Sequence, residues 1–177
     1  MKARGIEPDL SSYNSVVDAV WEYDRESAFH LFLEGIARCK SLQRFEVLDS
    51  PELVWKLDVR RLSPGSAQAA IIWWIQTKLA PACDEKAGKI AFPKSVVIIT
   101  GAGRSKKPWQ AGFGVSDVVL DMLLSMDAPI LGYGQAGDKE IEELRSPGQL
   151  VLDVSKLQQW ASHALLSSQS GGWRLRT

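Results

Sequence analysis

Two apolar runs, Val54 to Leu57 and Ser95 to Ile99, bracket a helical stretch that opens at Ser63-Pro64-Gly65-Ser66. This strand, helix and strand order constrains the fold more than any other feature of the chain. A crossover of this length joins two parallel neighbours with a right-handed turn, so the carboxyl ends of both strands reach the same edge of the sheet. The first run ends in Leu57-Asp58-Val59-Arg60-Arg61 and the second in Thr100-Gly101-Ala102-Gly103. Asp58, Arg60 and the glycine loop are therefore expected to be neighbours, at the edge where ligands of open α/β sheets collect.

The remaining elements of this α/β unit follow from period and punctuation. Ala67, Ala70, Ile71, Trp74, Ile75 and Leu79 recur at helical spacing, giving the crossover helix one apolar face, and Trp73 and Trp74 read as core. Pro81 to Pro93 is a polar excursion. The strand Ser95 to Ile99 is apolar throughout, as expected of a strand covered on both faces or lying mid-sheet. A helix is predicted over 115–126, with Val115, Val118, Val119, Leu120, Leu123 and Met126 as its buried stripe. Pro129 to Tyr133 is read as a third strand, 134–148 as an acidic loop or hairpin, and Gln149 to Asp153 as a fourth strand. Ser155 is expected to cap a last helix through Leu166, with a fraying tail at 169–177.

The loop after Ile99 concentrates charge that the chain lacks elsewhere. Lys+Arg and Asp+Glu both number 21, so net charge gives no hint of a polyanionic partner, and such a partner must be met by a local patch. Arg104, Lys106 and Lys107 form one, with Trp109 beside them and no acid between. The loop has no Gly-Lys-Ser/Thr at P-loop spacing and lacks the third glycine of a dinucleotide fingerprint. Two readings stay open: a loop that binds nucleic-acid phosphates through charge and N–H groups, with Trp109 stacking on an unpaired base, or a solvated surface loop. Cys39 and Cys83 lack metal spacing and only His30 and His163 could join them, so a zinc site is excluded and free thiols are expected. No run approaches the ~18 apolar residues of a membrane span.

Residues 1–40 have a different texture. Met1-Lys2-Ala3-Arg4-Gly5 returns loosely as Gly35-Ile36-Ala37-Arg38-Cys39, 34 positions later, a period typical of helical repeats. Tyr13, Val16, Val17, Val20 and Trp21, then Ala28, Phe29, Leu31, Phe32 and Ile36, define two helices broken near Tyr23-Asp24, with Pro8-Asp9 as the preceding turn and Ser11 or Ser12 as the cap. One helical hairpin cannot bury its own face, so it should lean on the next unit. Residues 41–53, with Asp49-Ser50-Pro51 as a turn signal, are read as a linker to an α/β unit at 54–168.

The string MKARGIEPDLSSYNSVVDAVWEYDRESAFHLFLEGIAR resembles the end of one pentatricopeptide (PPR) repeat followed by another. The resemblance covers about 40 residues and implies sequence-specific binding of single-stranded RNA, one base per repeat. On this resemblance Asn14 and Ser15 lie in the base-facing segment, Ser15 at the usual specificity position. The second specificity position falls near Phe45, where the sequence departs from the repeat pattern.

The α/β unit in turn resembles the small MutS-related (SMR) domain over about 110 residues. Two motifs carry the likeness: the family's Leu-Asp-x-His, here Leu57-Asp58-Val59-Arg60, and its His/Thr-Gly-x-Gly, here Thr100-Gly101-Ala102-Gly103. The resemblance implies a two-layer α/β sandwich like the C-terminal domain of bacterial translation initiation factor 3, with nucleic-acid binding and, in several members, endonuclease activity. It also implies the plant PPR–SMR proteins, which are mostly plastid RNA-processing or expression factors, and hence a chloroplast location. The departure is Arg60 in place of His.

Arginine stays protonated and cannot shuttle protons near neutral pH, but its fork suits a phosphate. In an enzyme Asp58 would orient or deprotonate the attacking hydroxyl, or hold a divalent ion such as Mg2+; otherwise Asp58 and Arg60 form an ion pair at the strand end. Thr100, Gly101, Gly103 and the loop bases would then contact RNA, and Arg61, expected on the opposite face, would make a surface or backbone contact. RNA endonuclease and non-catalytic RNA-binding module both remain open, as do the metal and the oligomeric state.

Overall fold

A computed structural model describes residues 8–39, 54–83, 92–101, 114–131 and 148–169. The linker read at 41–53, the loop residues Gly103, Arg104, Lys106, Lys107 and Trp109, the stretch 132–147 and the tail beyond 169 lie outside the described residues.

The chain begins with α1 (Leu10–Trp21) and α2 (Arg25–Arg38). Each opens on an aspartate in extended backbone that accepts from an N–H three residues on, Asp9 from Ser12 at 2.8 Å and Asp24 from Ser27 at 3.0 Å. Asp9, rather than Ser11 or Ser12, is therefore the first cap. Its carboxylate also receives the Ser12 hydroxyl at 2.8 Å, and both caps hold their carboxyl pKa below the usual range. Tyr13, Val17 and Trp21 recur every fourth residue and are buried against Ala28, Phe32 and Gly35 of α2.

Strand β1 (Val54–Asp58) pairs in parallel with β2 (Ser95–Ile99), Val54 opposite Ser95 and Asp58 opposite Ile99, so the expected crossover unit is present. Strand β3 (Gln149–Leu152) runs antiparallel on the other side of β2. β2 is thus the middle strand, which accounts for its unbroken apolar sequence, although Val97 and Ile99 are only half-buried. Trp55 and Leu57, Val96 and Ile98, and Leu150 and Leu152 make one continuous buried face. Of the third strand expected over Pro129 to Tyr133, the described residues form a single bridge, Ile130 to Leu152, and Gly132 and Tyr133 lie outside them. Asp127, at φ 52°, and the turn it terminates occupy the preceding residues, which leaves little extended chain before residue 132.

Helix α3 (Pro64–Trp74) starts as the sequence indicates, with the Ser63 hydroxyl accepting the Ser66 N–H at 3.3 Å and Pro64 in the first turn. It differs in having no solvent face over most of its length: Gly65 to Ile72 are all buried. The sheet takes one side, where Trp74 meets Trp55 edge-to-face at 6.4 Å, while α1 and α2 take another and α5 (Val115–Ser125) a third. The single apolar face read from the sequence is widened because the hairpin covers what would otherwise be the wet side. Trp74 is core, as expected, and Trp73 is partly buried against it.

Nor does the helix end before Pro81. It widens into a π-helical segment, Ile75–Leu79, in which the Ala80 N–H reaches Ile75, and continues as α4 (Ala80–Cys83). Proline lacks an N–H and crowds the carbonyl four residues earlier, and the wider turn makes room for it. In α5 the buried side chains are Val119, Met122 and Leu123, so Met122 joins the stripe and Val118 is only partly covered. Helix α6 (Val154–Gln169) packs on α4, and its Trp160 indole donates to the Met126 carbonyl at 2.7 Å. Its cap is Asp153, which accepts both the N–H and the hydroxyl of Ser155. Ser155 is thus the donor at that cap, and Asp153 leaves the strand to serve as acceptor.

Candidate functional site

At the carboxyl edge of β1 and β2 the ladder ends with the Val59 N–H on Ile99, 3.0 Å, and the chain then turns, Leu62 N–H returning to Val59. Asp58 nucleates this turn. Its Oδ1 accepts the Arg60 backbone N–H at 3.1 Å, and its two oxygens grip the Arg60 side chain: Nε to Oδ1 at 2.9 Å and to Oδ2 at 3.1 Å, Nη2 to Oδ2 at 2.6 Å. The two residues therefore meet through an Asx-type turn, and not through the same-face alternation of a strand. Hydrogen bonding from Arg60, more than charge alone, lowers the Asp58 pKa, and the same pairing raises that of Arg60. The pair is wet, with the arginine side chain 58% exposed and the aspartate 31%.

Gly101 sits directly beneath it. At φ +84° it occupies the left-handed region, and a Cβ there would come within 3.4 Å of Cγ of Arg60, so glycine lets the arginine stem lie across the backbone. Asp58, Arg60 and Gly101 are brought together as the crossover geometry demands. Thr100 has a different role from the one expected of a contact residue: it is buried, and its hydroxyl donates to the Gly148 carbonyl at 3.2 Å and lies 3.1 Å from that of Ser116. The N–H groups of Thr100 and Gly101 also end on the Gly148 carbonyl, at 2.8 and 3.0 Å. One carbonyl thus holds three donors and fixes the root of the loop, so these two amides are not offered to a ligand.

Asn14 and Ser15, which the resemblance sets in a base-facing segment, lie elsewhere, on α1. The Asn14 side-chain amide donates to the Arg61 carbonyl at 3.1 Å, the Ser63 hydroxyl donates to the Asn14 carbonyl at 3.2 Å, and Asp18 accepts the Gly65 N–H at 2.6 Å. Gly65 admits this approach, since a Cβ would stand 2.9 Å from both Asp18 and Trp21. These bonds join α1 to the turn between β1 and α3. Beside them lies an open cleft of about 600 Å³, lined by Asp9, Asn14, Ser15, Asp18, Arg61 and Ser63 among others. Ser15 and Arg61 are exposed, whereas Asn14 is half-buried with its Oδ1 unpartnered. Sequence reasoning missed Asp18, Gly65 and Gly148. A glycine in the first turn of an apolar helix was the available signal for the first two, and Pro147-Gly148 before a strand for the third.

Cys39 is a free, buried thiol. Among the described residues no three His, Cys, Asp or Glu side chains gather as a metal site, and Asp58 already gives both oxygens to Arg60. Among the described residues, Asp58 and its neighbours do not make up the donor set of a divalent ion. No described helix is long and apolar enough to cross a membrane.

No family model matches the chain. It is similar to a protein of Arabidopsis thaliana named as pentatricopeptide repeat-containing and chloroplastic, with 31% identity over 134 residues. The match covers 73% of this chain, a span that must include part of the α/β unit. The chain spans only 8% of that relative's length.

Proposed function

We propose that this chain is the RNA-binding end of an organellar PPR–SMR protein, with α1 and α2 as a terminal repeat and the α/β unit as an SMR domain of the two-layer sandwich type. Its partner is single-stranded RNA in the chloroplast, and it acts in transcript processing or expression. The observation that carries this reading is the 31% identity to a chloroplastic PPR protein over 134 residues, a span too long to lie within the hairpin alone. The exposed Arg60 over Gly101, and Arg104, Lys106 and Lys107 beyond it in sequence, support a basic edge for the RNA backbone.

Binding is favoured over cutting by Asp58. A general base needs a pKa near the working pH, and here both oxygens accept from a guanidinium that drives the pKa the other way. No proton is exchanged by Arg60. The pair fits a docking role, in which the carboxylate orients the guanidinium until a phosphate competes for it.

The test uses purified chain and labelled single-stranded RNA. Replacing Arg104, Lys106 and Lys107 together with alanine should weaken binding to every RNA and flatten its salt dependence, while Asp58→Ala should leave affinity equal or slightly higher. Nuclease activity that co-elutes with the protein and vanishes in both Asp58→Ala and Asp58→Asn, with melting unchanged, would establish an endonuclease instead. An unchanged salt slope in the triple variant would remove the loop from the site.

A further inference from the structure

The cleft between α1 and the β1–α3 turn has a composition unlike a phosphate site. Two carboxylates, Asp9 and Asp18, face one guanidinium, Arg61, so the charged lining is net negative and a phosphate would be repelled. Each carboxylate is committed through Oδ1, to Ser12 and to Gly65 respectively. Arg61 is exposed, and among the described residues its guanidinium has no hydrogen-bond or ion-pair partner; only its backbone carbonyl is used, by Asn14. Such a lining suits an uncharged group that presents acceptors to the guanidinium fork and N–H donors to the carboxylates. All four RNA bases carry acceptors and N–H donors, but guanine alone sets an acceptor pair, O6 and N7, on one edge and a donor pair, N1–H and the N2 amino group, on the next.

Resting on the RNA-binding reading above, we infer that this cleft is a guanine seat built jointly by the two units, in which Arg61 of the α/β unit reads O6 and N7 of a base lying against Ser15 of α1. The α/β unit thereby supplies the second reader that the repeat's own sequence lacks after Arg38. Because the Asn14, Ser63 and Asp18 bonds fix α1 on the turn that carries Arg61, the seat is pre-formed.

The experiment measures affinity of the whole chain for a short oligouridine, the same RNA with one central guanosine, and the same RNA with 7-deazaguanosine in its place. The guanosine RNA should bind about tenfold tighter than oligouridine, and 7-deazaguanosine should lose most of that gain. In Arg61→Ala the gain should disappear and deazaguanosine should make no further difference. The modified base probes the same contact without altering the protein. A guanosine preference that survives Arg61→Ala overturns the inference. So does a loss that is equal for all three RNAs and accompanied by a shallower salt slope, which would make Arg61 a phosphate contact. Binding to RNA with no guanosine preference sinks this inference alone, and failure of the wild-type chain to bind any of the three sinks the RNA-binding reading with it.

Discussion

Two carboxylates, 40 residues apart in sequence, do opposite jobs. Asp18 on α1 reaches a backbone N–H of α3 across the chain in a half-buried seam, and among the described residues nothing else satisfies that N–H at the helix start. Asp58 holds a side chain two residues away, and both members of the pair are wetted by solvent. The first contact fixes one unit on another because its loss strands a donor away from water. The second fixes only a local turn, and solvent competes with it throughout. Of these two carboxylates, the one that joins distant elements is half-buried and the one that holds a local turn is wet.

The sharpest way to break the comparison is to ask whether the seam unites one cooperative body. Phe32 of α2 is fully buried in the core that also contains Trp74 and Leu57. Phe32→Ala should cost about 3–5 kcal/mol in denaturant unfolding, and a probe on the sheet should report the loss in the same single transition. Two separated transitions would show the hairpin to be independent. Gly65→Ala comes next: its methyl group would press on Asp18 and Trp21, and about 1–3 kcal/mol should be lost by thermal or denaturant melting. Asp18→Ala should cost a similar or smaller amount, about 1–3 kcal/mol, by stranding the Gly65 N–H. Asp58→Ala should fall below about 1 kcal/mol, as exposed pairs do. If Asp58→Ala proved costlier than Asp18→Ala, the division between covered and wet carboxylates would fail.

Acid sharpens the same contrast at the smallest scale. Asp58, Asp153, Asp9 and Asp24 all have lowered folded-state pKa values, each chiefly from hydrogen bonds to its carboxylate. Their contribution is present above the unfolded value near 3.9 and is lost as pH falls through the folded values beneath it. Melting temperature should therefore drop from about pH 4 downward, with Asp58→Asn removing only a small part of the slope. A stability loss centred near pH 6 would implicate a different group.

Local rules carried far in this chain where each residue's neighbours in sequence are its neighbours in space. The Ser63-Pro64 helix start, the break at Tyr23-Asp24 and the meeting of Asp58, Arg60 and Gly101 all follow from turn chemistry and crossover handedness. What stayed hidden depends on covering by distant elements. The all-round burial of α3 needs the hairpin, which no period within 64–74 can reveal. Pro81 was a natural stop, and the π turn that accommodates it has no sequence signature of its own. Asn14 was expected to face RNA; its amide binds the Arg61 carbonyl, and Arg61, expected on the far side of the strand, lines the cleft beside it. A turn that starts at Asp58 redirects everything after it, and strand alternation ceases to apply there.

The parallel pairing of β1 with β2 also sets an order of assembly during synthesis. Helices α1 and α2 meet through short sequence separations, and α3 closes their apolar side as soon as it emerges. Val54 has to wait for Ser95, and β2 in turn waits for Leu152 before its second edge is paired. Until β2 emerges β1 has no partner on that side, and β2 keeps one edge open to association with other chains until β3 follows.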